Sequence, residues 1–213
     1  MIIVPSEFVR EEIESRMSVD CRVIHHWTDT KRFHPRSQVD ARSILGLPMK
    51  DKLVLNVSAA TSNKNYGLLK DISGLLGRDC RLVKVGGPIP GAKNSIYFPG
   101  LNEEMYPLLF NACDLYLHTS RSEGFGRPLV ESIASELPVL ALRTKVALEV
   151  LGDAAVYCEP GMRASEWVKV VHSSLTDSIR NDVIRSERQR SDLFNPAAAH
   201  RLYQDVYESV FGG

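Results

Sequence analysis

The sequence has few cysteines and gathers none of them: Cys21, Cys80, Cys113 and Cys158 stand far apart, form no CxxC pair, and each lies beside apolar neighbours. That excludes a disulfide framework and predicts buried thiols in a reducing compartment, so a cytoplasmic protein is expected. Charge of one sign is missing too. With 26 basic against 26 acidic residues, no global field gathers nucleic acid or acidic lipid, and the expected partner is a small molecule. No stretch reaches the roughly 18 consecutive apolar residues of a membrane span, the N-terminus has no basic-then-apolar leader, and membrane contact is not indicated. His25 and His26 stand beside Trp27 without the further ligands a zinc site needs, so they read as packed histidines. The G-x-G-x-x-G turn of an ordinary dinucleotide-binding domain is also absent.

What is present is an alternation. Short apolar runs rich in β-branched residues, 21–25 (CRVIH), 53–58 (LVLNVS), 81–86 (RLVKVG), 96–99, 114–118 (DLYLH), 138–142 (PVLAL) and 154–158, are separated by longer amphipathic segments. Several runs are apolar nearly throughout, as strands of a parallel sheet covered on both faces should be. Helices are predicted from Ser6, as cap, to about Arg16, from Asn65 to Leu76 with a stop at Gly77, and from Asn102 to Cys113, where Pro107 starts or kinks a turn. Pro128 suits the first position of another helix. After Cys158 three helices follow without a strand, at about 164–175, 176–192 and 197–211. The basic run 180–190 (RNDVIRSERQR) reads as a solvated helix face, and Trp167 as helix packing. The composite is a single α/β domain over residues 1–213, a doubly wound, Rossmann-like parallel sheet with 164–213 as a helical tail. Such sheets bind ligands outside the carboxyl ends of their strands.

At that end lies Ser120 to Glu131, SRSEGFGRPLVE, with Glu123 and Glu131 flanking Gly124, Phe125 and Gly126 between a strand and a helix. Glycines let the backbone N–H groups approach a ligand, and the helix N-terminus adds free donors and partial positive charge, so phosphate suits the loop. Carboxylates repel phosphate but accept hydrogen bonds from hydroxyl groups. A nucleotide sugar offers hydroxyls on both sides of a diphosphate. Taken alone, a helix-capping reading of both glutamates stays open beside this one.

The ordered set of motifs resembles the retaining glycosyltransferases of family 4, whose GT-B fold joins two Rossmann-like domains and binds the donor in the C-terminal one. SRSEGFGRPLVE resembles the family's E-x7-E signature, VPSEFVREEI the segment entering its C-terminal domain, and VIHHWTDTKRFHP its VIPNGVDxxRFxP turn. NVSAATSNKNYGLL takes the place of the GRLxxxKG loop, and LVKVGGP that of LVIVGxGP. The resemblance covers essentially the whole chain and implies roles. Glu123 would hold the hydroxyls of the donor sugar, Glu131 those of the ribose, and the loop from Gly124 through Phe125, Gly126 and Arg127 would offer amides to sugar or phosphate. Lys64 would neutralise the diphosphate. Leu101 and Asn102 would meet the base through the main chain, Gly86 and Gly87 would leave room for the nucleotide, and His118 is a candidate for a hydrogen bond to the sugar. Neither metal nor other cofactor is implied, since basic side chains and amides stabilise the departing diphosphate.

Two departures qualify the resemblance. Ala59 stands where the family carries an Arg before its Lys, with Arg127 and Lys145 as unassigned candidates to replace it, Arg127 being the better placed. The family's N-terminal acceptor domain has no counterpart from residue 2 onward. The expectation is therefore the donor-binding half of a glycosyltransferase, incomplete without an N-terminal domain or partner chain reached through helix 197–211, by way of Leu202, Val206, Tyr207 and Val210. The alternative is a non-catalytic nucleotide-sugar-binding module or a subunit of a split glycosyltransferase.

Overall fold

A hydroxyl cap opens the first helix, as the sequence predicts. In the computed structural model, which describes residues 1–59 and 61–211 apart from the side chains of residues 177, 179 and 180, a short strand β1 (Ile2–Val4) leads into α1 (Glu7–Glu14), and the Ser6 hydroxyl accepts from the Val9 amide at 3.2 Å. Then comes β2 (Cys21–Val23), which pairs only with β1, in parallel register from Ile2 opposite Cys21 to Val4 opposite Val23. The predicted strand CRVIH is thus shorter than expected and lies outside the main sheet, because its partner is three residues long.

The sheet itself begins after α2 (Gln38–Leu45). Its strands are β3 (Lys52–Ser58), β4 (Cys80–Gly86), β5 (Ser95–Phe98), β6 (Leu115–His118), β7 (Val139–Leu142) and β8 (Val156–Cys158). They pair in the order β5-β4-β3-β6-β7-β8, every pair parallel. The order reverses between β3 and β6, and there a doubly wound sheet opens its crevice. Among the described residues no helix is long and apolar enough to cross a membrane.

Two cores explain the alternation in the sequence. One face of the sheet is covered by α2, α4 (Tyr106–Ala112), α5 (Arg127–Ala134) and α6 (Lys145–Leu151), which bury Leu55, Val83, Tyr116 and Val139 beneath Leu45, Phe110, Leu129 and Val150. The other face, with Val54, Leu82 and Leu117, packs on α3 (Tyr66–Leu75) and α7 (Ala164–Ser174) through Leu69, Ile72 and a fully buried Trp167. All four cysteines are buried and free. Sequence analysis did not place α2 or α6, though both carry hydroxyl caps, Ser37 to the Asp40 amide and Thr144 to the Ala147 amide.

The tail departs from expectation in part. In α8 (Asp177–Ser191) the basic run is not a solvated face throughout: Arg188 holds Glu136 bidentately at 2.7 and 2.9 Å, and Arg190 donates to the Val150 carbonyl at 2.9 Å and covers the Phe194 ring. Glu187 is fully buried. These groups tie α8, which packs along α5, to the turn after α5 and to α6. Arg180, whose side chain is not described, starts the run, and Gly212 and Gly213 end the predicted domain beyond the described residues. In α9 (Pro196–Phe211), Val206 turns inward, whereas Leu202, Tyr207 and Val210 are exposed.

At the amino end of the sheet, Arg42 is 4% exposed. Its guanidinium donates to the carbonyls of Ala112, Pro48, Met49 and Asp51 and pairs with Asp114 at 2.8 Å, while Asp114 accepts the Leu53 amide. Cutting one partner from a buried pair leaves the other charge desolvated. Arg42→Ala is therefore expected to lower unfolding free energy by about 3–5 kcal/mol, measured by urea titration; a loss below about 1 kcal/mol would show the cluster to be dispensable.

Candidate functional site

The crevice is formed where the loops after β3 and β6 meet, and they are sewn together. Thr119 donates to the Lys64 carbonyl at 2.9 Å, the Arg121 amide to Asn63 at 2.8 Å, and the Asn63 side chain back to the Ser122 carbonyl at 2.8 Å. A third strand of chain joins them. The Ser6 hydroxyl, already the cap of α1, donates to the Gly124 carbonyl at 2.6 Å, so the opening segment of the chain holds the glycine loop in place.

Within that loop Phe125 is 3% exposed. Its ring packs against His25, His26 and Phe194 at 5.3–5.7 Å between centroids, which leaves only its main chain to face a ligand. His25 is itself fixed at 2.8 Å from Glu149. Gly126 has φ of +85°, and a Cβ there would lie 2.9 Å from Leu129 Cδ1, so the turn into α5 requires glycine. The helix starts at Arg127, one residue before the predicted Pro128.

The result is a pocket of about 260 Å³. It brings together Lys64, Glu123, Gly124, Phe125, Gly126 and Arg127 of the predicted residues, with His118 at its floor. Lys64 and Glu123 form an ion pair with their side chains only 16% and 17% exposed. Two groups given separate duties by the resemblance thus form one ion pair. Burial holds the His118 pKa down, to about 4, so its imidazole is neutral at physiological pH.

Other predicted residues lie outside this pocket's lining. Glu131 is 5% exposed, and its carboxylate accepts from the Tyr106 hydroxyl at 2.8 Å. Burial raises its pKa, against the opposing pull of the Tyr106 bond and of Arg127. Gly86 has a structural reason of its own: with φ of +91°, any Cβ would sit 2.5 Å from the Ser58 carbonyl oxygen. The Gly87 amide donates to that same oxygen at 3.1 Å. Leu101 packs on the core edge, and the Asn102 side chain caps the Met105 amide at 2.8 Å. Ala59 is exposed, and Ala60 beside it is outside the described residues. Of the two candidates for the absent Arg, Arg127 reaches the pocket, whereas Lys145 pairs with Glu11 at 2.7 Å on the surface.

Sequence reasoning missed Pro5, His26, Val57 and Tyr116, which also line the pocket. Pro5 and His26 come from the opening segment, far away in sequence, and nothing in their local pattern marks them. Tyr106 as partner of Glu131 was equally hidden.

A parallel sheet with a glycine-turned helix start and a lysine–carboxylate pair where its strand order reverses defines a doubly wound α/β domain with its crevice at the switch point. The chain belongs to the glycosyl transferases group 1, whose family pattern matches residues 37–190. No curated protein matches it in sequence. Among solved structures it is similar to sucrose-phosphate synthase (tll1590) from Thermosynechococcus elongatus, at 20% identity and TM-score 0.84 over 99% of this chain and 58% of that one. It is similar also to Anabaena Alr3699/HepE in complex with UDP and glucose, at 19% identity and TM-score 0.85 over 98% of this chain and 63% of that one. The C-terminal domain of LpcC from Francisella tularensis, at 18% identity and TM-score 0.63, is covered over 97% of its length by 76% of this chain. The chain therefore spans about 60% of the length of the first two structures, and its fold is that of the C-terminal half of a GT-B glycosyltransferase.

Two outcomes follow from the loop. Gly126→Ala should destabilise by about 1–3 kcal/mol, because it forces an L-residue to positive φ against Leu129; a thermal midpoint equal to wild type would refute the steric reading. His118 has a folded pKa below its ordinary 6.5, so the stability linked to its neutral form is complete above pH 6.5 and is lost as pH falls toward 4. Between pH 7 and 5 the wild type should lose about 1–2 kcal/mol more than His118→Gln, read from urea titrations; parallel losses would mean that His118 titrates normally.

Proposed function

We propose that the chain is the donor-binding half of a retaining glycosyltransferase, which takes a sugar from a nucleoside-diphosphate sugar and, once an acceptor domain completes the cleft, passes it to an acceptor hydroxyl. The observation that carries this reading is the half-hidden Lys64–Glu123 pair beside the start of α5. A diphosphate would draw the ammonium of Lys64 toward its own charge, and the released carboxylate of Glu123 would accept hydrogen bonds from sugar hydroxyls. The amides of Phe125, Gly126 and Arg127 then face the oxygens of sugar or phosphate. As the bond from the anomeric carbon to the diphosphate oxygen breaks, Lys64 and these amides stabilise the charge growing on the diphosphate, while the acceptor hydroxyl attacks on the same face and passes its proton to that departing oxygen, which retains configuration.

Glu131 is assigned to the ribose through a carboxylate edge that Tyr106 leaves free. Leu101, Asn102, Gly86 and Gly87 border the nucleoside. The exposed apolar residues Leu202, Tyr207 and Val210 suit contact with the acceptor domain or a partner chain. A second reading, a nucleotide-sugar-binding module without transfer, is favoured by Ala59, which leaves the phosphate loop one cation short of the family pattern.

The test is a thermal-shift titration against UDP, GDP and ADP, each with and without a hexose. The Anabaena protein was crystallised with UDP-glucose, so UDP-hexoses come first. One base should raise the midpoint, since a ligand of the folded state stabilises by RT ln(1 + [L]/Kd); silence with all six would overturn the reading. Glu131→Ala should weaken the nucleoside diphosphate itself by about 1–3 kcal/mol. Glu123→Ala should mainly weaken the sugar-bearing form. Equal losses for both ligands in both variants would overturn these roles.

A further inference from the structure

Lys84 is a cation in the wrong place for a strand. It sits in β4 with 1% exposure, opposite the buried Asn56 of β3, at the position where the family pattern LVIVGxGP has isoleucine. Its ammonium donates to the carbonyls of Ser58 at 2.7 Å and Val85 at 2.6 Å and lies 5.3 Å from the centre of the Tyr66 ring. Burial first and then the charge of Lys64 push its pKa down, to about 8. A buried cation held by carbonyl dipoles and a ring is costly, and an arriving anion offsets that cost.

Where it sits matters more than that it is buried. Ser58 immediately precedes Ala59, the position at which the family carries the arginine that this chain lacks. Three donors converge on the Ser58 carbonyl, from Lys84 at 2.7 Å, the Tyr66 hydroxyl at 3.1 Å and the Gly87 amide at 3.1 Å. The ammonium therefore lies at the carboxyl ends of β3 and β4, behind the start of the loop that carries Lys64 and against the ring of Tyr66, two residues after Lys64. One cation is lost from the front of the loop and one is gained behind it.

We infer that Lys84 is a specificity-determining residue for the diphosphate: from beneath the loop it supplies the second positive charge of the phosphate site in place of the side chain missing at Ala59. The inference rests on the donor-binding reading. Lys84 acts through the field and through the Ser58 carbonyl it fixes, so it is a positioning residue that favours phosphate over the bare nucleoside. Its charge works on the ligand without a direct contact, because the low-dielectric interior screens it weakly.

The experiment uses the whole chain and titrates UDP, GDP and ADP by calorimetry, continuing with whichever binds and with the matching phosphate-free nucleoside as control. Lys84→Met keeps the length of the side chain and removes the charge. It should be at least as stable as wild type without ligand, since replacing a buried charge by an apolar group is often neutral or stabilising. Its affinity for the nucleoside diphosphate should fall about tenfold, with that for the nucleoside unchanged. Adding Ala59→Arg to Lys84→Met should restore the diphosphate affinity.

Equal affinity of Lys84→Met and wild type for the diphosphate, or equal losses for diphosphate and nucleoside, would overturn the inference while leaving the donor-binding reading intact. Absence of binding by wild type to all three diphosphates would overturn both. If Lys84→Met does not fold, the wild type decides by its pH profile. Lys84 is charged below about 8, so diphosphate affinity relative to nucleoside should decline from pH 7 to 9. The other groups facing it are Lys64 from the loop after β3, Tyr66 from α3, whose hydroxyl burial keeps protonated over that range, and Tyr97 from β5, bonded to the Gly86 carbonyl. A flat ratio from pH 7 to 9 would overturn the inference.

Discussion

Six strands running the same way put all their carboxyl ends along one edge, and everything the chain can do follows from that constraint. Parallel strands need a crossover between each pair, so helices cover both faces and the strands become apolar throughout. The chain then has only its loops in which to place polar chemistry. With the order reversing between β3 and β6, the helices α3 and α5 that follow these two strands go to opposite faces, and the loops that lead into them, which carry Lys64 and Glu123, border the crevice.

A crevice is not yet a site. What converts it is rigidity supplied from elsewhere: the loops bond to each other through Thr119, Asn63 and Arg121, and the Ser6 hydroxyl both caps α1 and holds the Gly124 carbonyl. The phenyl ring of Phe125 is buried among three other rings, so the loop presents its backbone by burying its side chain. Held this way, the amides of the loop keep a fixed direction toward the crevice. The Lys64–Glu123 pair works in the same direction, since each charge is kept partly desolvated and in place by the other.

Much of this was legible in the amino acids. The runs LVLNVS, RLVKVG, DLYLH and PVLAL all became strands of the sheet, and Ser6, Gly77 and Pro128 mark helix boundaries within a residue or two. The loop from Glu123 to Pro128 lines the pocket, while Glu131 at the end of the stretch lies outside its lining. Other parts were hidden for identifiable reasons. CRVIH carries the composition of a sheet strand, but pairing depends on the length of the partner, and β1 is three residues long. The basic run in α8 has the composition of a solvated face, yet Arg188 and Arg190 find carboxylate and carbonyl acceptors on the turn after α5 and on α6. Gly86 has a reason in backbone crowding against Ser58 as well as in any ligand.

Sequence by itself determined the class of fold, the edge of the sheet that carries the chemistry and the residue types available there, because periodicity, caps and glycine placement are local physics written in consecutive residues. Only the tertiary structure decided which charges face each other. That Lys64 meets Glu123, that Tyr106 covers Glu131, and that Lys84 lies behind Ser58 are outcomes of strand order and helix docking. These pairs are brought together by long-range packing, and no local pattern encodes the distance between them.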